Sequence, residues 1–268
     1  MDRAAPRRAA REAADTTWFR LLARAGYGAS GLVHLLIGAI ALIVAFGGDA
    51  TPDQSGALRA IAGMPFGFAV LWTVAVALWA LGAWKIVEGI LVRGTPPLRR
   101  WMRRFGQWGQ GVVFAAIGGI AAAVAMGARV SSEEATEAVS RGVLRIPGGA
   151  YVLAAAAVVV GAVGISFLVM GLRRSYRTQV RVPDGALGAA IDVLGVVGFV
   201  AKGVALAAVG VLLVIASIRG EAKTAGGLDG ALTALLRLSL GPVVVGAIGA
   251  GLIAYGVFCF FRARYARL

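Results

Sequence analysis

Six stretches of the chain, at about residues 25–47, 68–92, 106–128, 149–172, 190–218 and 241–262, are apolar with few interrupting charges. Each is long enough to cross the roughly 30 Å hydrocarbon of a bilayer as a helix. A backbone in lipid must satisfy its own hydrogen bonds, and one continuous run per crossing leaves the α-helix as the spanning form. The expected fold is therefore an all-α integral membrane protein with six transmembrane helices. Composition excludes the alternative: 59% of the 268 residues are hydrophobic and 15% are charged, against roughly a quarter charged in soluble domains. The fifth run is long enough to need tilt or an interfacial first turn.

A net charge of +14 would suggest nucleic acid in a soluble chain. Here the basic residues flank the apolar runs, so they read as a membrane-surface signal instead, with no nucleic-acid partner. Arg3, Arg7, Arg8, Arg11, Arg20 and Arg24 precede the first run, Arg93, Arg99, Arg100, Arg103 and Arg104 lie in the second connection, Arg173, Arg174, Arg177 and Arg181 in the fourth, and Arg262, Arg264 and Arg267 at the end. The other connections carry Arg59, then Arg129, Arg141 and Arg145, then Arg219, Lys223 and Arg237, all offset by acids such as Asp53, Glu133 and Asp229. This bias places both termini in the cytoplasm, where the basic rim meets anionic lipid headgroups. Residues 1–24 read as a basic cytoplasmic tail, mobile or lying on the surface, with no apolar stretch before Trp18 that could form a signal peptide. Residues 263–268 read as a basic cytoplasmic C-terminus.

A two-helix unit recurs three times, over 25–92, 104–172 and 190–262. Its first span carries glycines at fixed spacing: Gly26, Gly31 and Gly38; Gly106, Gly111 and Gly118; Gly198, Gly203 and Gly210. The last two of each set are seven residues apart and share a helix face, a small-residue stripe that lets two backbones approach closely in lipid. In the second spans Gly82, Gly164 and Gly256 fall at equivalent places. Between the spans, Gly56-Ala-Leu58 and Gly230-Ala-Leu232 mark a short amphipathic helix on the extracytoplasmic side. Thr51-Pro52-Asp53-Gln54 and Ser131-Ser-Glu-Glu134 have the spacing of helix caps, the first with proline at the first helical position. Two spans per unit make the repeats parallel, which implies a pseudo-threefold bundle.

This triplicated pattern of glycines, with Gly-Val-Val or Gly-Leu-Val after the shared glycine and Gly-Ala-Leu in the external segment, resembles the bacterial membrane family called domain of unknown function 1206 (DUF1206), over about Arg24 to Phe260. The resemblance implies a six-helix protein of the bacterial inner (plasma) membrane, common in actinobacteria, and no established activity. Family members often carry a basic residue just before the shared glycine; Lys202 keeps it here, whereas Ser30 and Gln110 do not.

Little in the chain suits catalysis. His34 is the single histidine and Cys259 the single cysteine, which removes Cys/His metal sites, bis-histidine haem and Cys/His nucleophilic chemistry. Neither HExxH, GxSxG nor a phosphate loop is present, so no enzyme activity, cofactor or metal is expected. The polar residues expected within the spans are His34, Lys85, Glu88, Gln110, Asp192 and Lys202, which form a candidate cluster in one half of the bundle. They read either as paired charges that fix packing and depth or as a pathway for an ion, proton or solute. Lys85 and Glu88 share a helix face and can neutralise one another; Glu88 with Lys202, or Lys85 with Asp192, are the cross-helix alternatives. The functional expectation is a non-enzymatic membrane protein that acts by packing with lipids or partner proteins. A small channel or carrier is the alternative, and lipid-facing small residues leave a homo-oligomer open.

Overall fold

The computed structural model describes residues 17–92 and 96–266. Nine α-helices follow in chain order among the described residues: α1 Thr17–Ala45, α2 Gln54–Ala62, α3 Gly67–Leu91, α4 Pro97–Ala125, α5 Ser132–Leu144, α6 Gly149–Leu172, α7 Ala186–Arg219, α8 Gly227–Leu236 and α9 Gly241–Tyr265. Short 3-10 turns at Ser175–Thr178 and Ala222–Ala225 bracket α7. Helices α1, α3, α4, α6, α7 and α9 are each long and apolar enough to cross a membrane. The protein is thus an all-α, six-span, multi-pass membrane protein, with α2, α5 and α8 between the spans of each pair.

Several boundaries differ from those read in the sequence. The first helix is already formed at Thr17, so the last part of the expected tail belongs to α1. Span three opens at Pro97 rather than near residue 106, and Arg100, Arg103 and Arg104 ride on its opening turns. Proline at the first helical position explains that start: its fixed φ suits the turn and its missing N–H has no partner to lose. Hydropathy marks where hydrocarbon ends, whereas the backbone ladder stops at a cap. Arg3, Arg7, Arg8 and Arg11, with Arg93 and Arg267, lie outside the described residues.

The cap of α2 also lies two residues beyond the one the spacing predicts. Asp53, not Thr51, closes the helix: its buried carboxylate accepts the Gly56 N–H at 2.7 Å and the Ser55 hydroxyl at 2.8 Å. An acid satisfies an orphan donor and complements the positive end of the helix at once. Ser131 caps α5 in the spacing expected, accepting the Glu134 N–H at 3.2 Å.

Contacts divide the chain into two units: residues up to Ser30 with Ile61–Ala128 and the chain from Cys259, and Gly31–Ala60 with Arg129–Phe258. In the first, α3 lies on α4. A methyl added at Gly82 would sit 2.8 Å from the Gly111 carbonyl oxygen, and one at Gly111 would sit 2.9 Å from that of Gly82. Seven residues away on both helices, a methyl added at Gly118 would sit 2.7 Å from Trp79 Cδ1 and 3.1 Å from the Ala75 carbonyl oxygen. Two indoles lock this pair by donating into helical carbonyls, Trp79 to Ala115 at 3.1 Å and Trp108 to Ile86 at 3.2 Å.

In the second unit the same geometry recurs. A methyl at Gly164 would sit 2.9 Å from the Gly203 oxygen, and Gly210 would meet the Gly161 backbone at 3.0 Å and the Ala157 carbonyl at 3.3 Å. A methyl at Gly256 would sit 2.8 Å from the Gly31 oxygen, and one at Gly38 would sit 2.5 Å from the Gly249 oxygen. Within the units, α3 thus meets α4, α6 meets α7 and α9 meets α1 through glycines at equivalent positions of the repeat. Without a hydrophobic force between helices in lipid, such close backbone contact supplies the van der Waals attraction that holds them. The third glycine of each set behaves unevenly. Gly26 lies against the Ala77 carbonyl and Leu81, and Gly198 lies 2.6 Å by the same measure from the Tyr255 backbone, but nothing approaches Gly106 within 4 Å. The expectation that Gly106 packs another helix is corrected: its face of α4 is open.

The turns into the second spans repeat as well. Gly67, Gly149 and Gly241 each donate a backbone bond of 2.9 Å, to Met64, Ile146 and Leu238. A side chain at any of them would run into a carbonyl of the preceding short helix, Ile61, Val143 or Leu236.

Candidate functional site

The structure separates the expected polar cluster into distinct neighbourhoods. In the second unit, α1 places His34 and α7 places Lys202 so that Lys202 Nζ lies 3.0 Å from His34 Nε2. Both helices pack on α9, through Gly31 and Gly198, and α9 contributes Tyr255 beneath the pair. The ammonium sits 4.3 Å from the Tyr255 ring centroid and 5.1 Å from that of Phe167, and the imidazole lies 4.8 Å from Tyr255. The two nitrogens are within hydrogen-bond distance, and aromatic faces surround Lys202 Nζ. The aromatic wall continues through Phe199, Phe258 and Tyr176, with Tyr176 stacked on Phe199 at 5.3 Å.

In the first unit, Lys85 and Glu88 bond within α3 at 2.5 Å, the intrahelical option of those the sequence left open. Lys85 is buried, and its ammonium lies 5.7 Å from the Tyr27 ring centroid. The same ring carries the Arg262 guanidinium at 4.4 Å, whose Nη2 donates to the Tyr27 hydroxyl at 3.3 Å. Asp192 is engaged elsewhere, by Arg177, whose Nε donates to Oδ1 at 2.9 Å. Tyr176 donates to the Asp192 carbonyl at 2.9 Å, and burial pushes its phenol upward against the lowering effect of Arg174 and Arg177. Gly195 makes room for that ring, since a methyl there would sit 2.6 Å from Tyr176 Cζ. Asp192 thus ties the loop after α6 to the start of α7. Gln110 is exposed on α4.

Pairing of His34 with Lys202 was not legible beforehand. The residues equivalent to His34 are Phe114 and Leu206, and those equivalent to Lys202 are Ser30 and Gln110, so the pair occurs once and the repeat pattern does not disclose it. Among the described residues no three His, Cys, Asp or Glu side chains are grouped to hold a metal ion.

Two further features bear on function. On the opening turns of α4, Trp101 and Phe105 stack at 5.6 Å, Phe105 meets Trp108 edge-on at 5.8 Å, and the Arg104 guanidinium lies 5.2 Å from the Trp101 ring. Trp101 and Phe105 are exposed, so a basic and aromatic surface faces outward there. Aromatic rings beside arginine at the end of a span are suited to the headgroup level of a membrane.

Between the spans, Asp229 of α8 has its carboxyl pushed up to about 6. Burial contributes most, followed by the charges of Glu133 on α5 and Asp53 beside α2 and a side-chain hydrogen bond with Glu133; Arg59 of α2 opposes them. The folded chain therefore holds a proton that the unfolded chain has released from about pH 4 upward, and loses the associated stability as pH rises through about 6. Asp229→Asn should flatten this fall: its melting temperature should vary less than that of the native chain between pH 4 and 7. Equal slopes would show that Asp229 does not carry the titration.

The family profile described as Domain of Unknown Function (DUF1206) matches residues 25–91, 105–174 and 197–266, one match per two-helix repeat and together well over half of the chain. Uncharacterized protein YxxB of Bacillus subtilis (strain 168) is 25% identical over 262 residues, covering 94% of this chain and 92% of that protein. No solved structure matches the chain.

Proposed function

The chain belongs to the family Domain of Unknown Function (DUF1206), and from that premise we propose that it is a non-enzymatic membrane protein that acts through contact with anionic lipid and with partner proteins. The carrying observation is the outward surface of α4, where Arg104 stacks on Trp101 beside Phe105 and Trp108. On the orientation given by the arginine bias, with both termini in the cytoplasm of a bacterial cell, this surface lies at the inner headgroup level. Guanidiniums there attract anionic phospholipid while the rings hold the depth of the helix. Backbone-to-backbone glycine contacts within both units favour a packed interior over a wet one.

The test is lipid retention by the purified full chain. Arg100→Gln, Arg103→Gln and Arg104→Gln combined should weaken phosphatidylglycerol retention by roughly a hundredfold at low salt, since each arginine near a surface contributes about 1 kcal/mol. Retention of phosphatidylcholine should not change. Equal phosphatidylglycerol retention by native and triple variant would remove α4 as a lipid-binding surface.

A small channel or carrier is the second reading, favoured by one observation: the His34 and Lys202 pair places two titratable nitrogens 3.0 Å apart between spanning helices, where ionisable residues are often part of a transport path.

A further inference from the structure

In the first unit a cavity of about 650 Å³ opens between the start of α1 and the end of α9, lined by Arg24, Ala25, Gly28, Phe260, Ala263, Arg264 and Tyr265. Its lining is layered. On α1, Gly28 lies one turn deeper into the apolar segment than Arg24; on α9, Phe260 lies one turn deeper than Arg264. The helix directions are opposed, so both arginines fall at the outer level and the glycine and phenyl ring at the inner one. The Phe260 ring is 44% exposed, and a methyl at Gly28 would only reach it at 3.9 Å, which leaves the inner level apolar and unfilled. Among the described residues neither Arg24 nor Arg264 is in an ion pair. Exposed Trp18, Leu21 and Leu22 on the first turns of α1 set this end of the helix at a membrane surface.

We propose that this cavity binds one anionic phospholipid of the cytoplasmic leaflet, its phosphate held between the Arg24 and Arg264 guanidiniums and the root of its acyl chain lying over Gly28 and Phe260. The charge pattern selects this occupant. Two guanidiniums match a phosphate in fork geometry, and the apolar level one turn below matches the chain that follows the headgroup. Tyr265 also lines the cavity. A soluble phosphate compound would satisfy the upper level and leave the lower one wet. The assignment rests on the lipid-contact reading above and goes beyond it by placing one discrete site away from α4.

Native mass spectrometry of the full chain in detergent, titrated with phosphatidylglycerol, phosphatidylcholine or inorganic phosphate, tests it. The native chain should hold one phosphatidylglycerol in preference to phosphatidylcholine, and phosphate should not displace it. Arg24→Gln with Arg264→Gln should weaken that binding roughly thirtyfold, two arginines at about fivefold each. Gly28→Leu fills the inner level without altering charge and should also expel the lipid; its melting temperature reports whether the fold is intact. The α4 arginine variant should keep this one lipid. If the Arg24 and Arg264 variant binds as the native chain does while the α4 variant does not, the site is overturned and the lipid reading stands. If the native chain shows no preference for phosphatidylglycerol, both fall. Displacement by phosphate would overturn the lipid as occupant.

Discussion

Leucine in place of Gly164 should prevent α6 from seating on α7 and cost the folded protein at least about 3 kcal/mol, the upper end of what overpacking a close contact usually costs. A single methyl at this position already lies 2.8 Å from the Ala207 nitrogen and 2.9 Å from the Gly203 oxygen. These are backbone atoms, which cannot swing aside, so the helices must separate along their length. Gly256→Leu should do the same to α9 on α1 and Gly82→Leu to α3 on α4, because the three positions make equivalent contacts. Gly106→Ala provides the opposite sign. Nothing lies within 4 Å of that position, so alanine should gain up to about 1 kcal/mol of helix propensity without a steric cost. Melting temperature in detergent reads both effects. A Gly164→Leu protein that melts as the native one does would mean that α6 and α7 are not held by this contact.

The second large effect is expected where His34 meets Lys202. Lys202→Met removes the ammonium and takes from the imidazole its 3.0 Å partner, at a cost of about 1–3 kcal/mol for a polar group left less well satisfied away from water. His34→Phe, which installs the side chain present at the equivalent Phe114, should cost more, because the group left behind is an ammonium. Combining the two should cost less than their sum, with a coupling of about 0.5–3 kcal/mol. Strict additivity in the double-mutant cycle would show that the two side chains do not depend on one another.

The contrast between these two predictions also marks what the sequence could disclose. Glycine spacing is a property of one helix, and the face shared by Gly31 and Gly38 follows from helical geometry alone. Which helix opposes that face does not follow from spacing; the structure is what sets Gly82, Gly164 and Gly256 against the first-span glycines. His34 and Lys202 are different. They belong to different repeats at inequivalent positions, so their meeting depends on tertiary packing that no periodicity encodes. The six polar residues gathered into one cluster were grouped by depth along the helix axis, which says nothing of direction around it. Asp192 turned out to bind the loop at Arg177, and Lys85 its own helix neighbour Glu88. Helix starts differ from the hydropathy boundaries for a related reason. Hydropathy changes with the solvent, while the helix at Pro97 and the cap at Asp53 are set by local backbone chemistry.

Conduction decides between the lipid-contact reading and the channel reading. Proteoliposomes holding the purified full chain and a trapped pH-sensitive dye, given a potassium gradient with valinomycin, measure it directly. The expected result is proton entry equal to that of empty liposomes, with Lys202→Met and Glu88→Gln no different. Proton entry well above empty liposomes, abolished by Lys202→Met, would contradict it and establish the His34 and Lys202 pair as part of a conducting path.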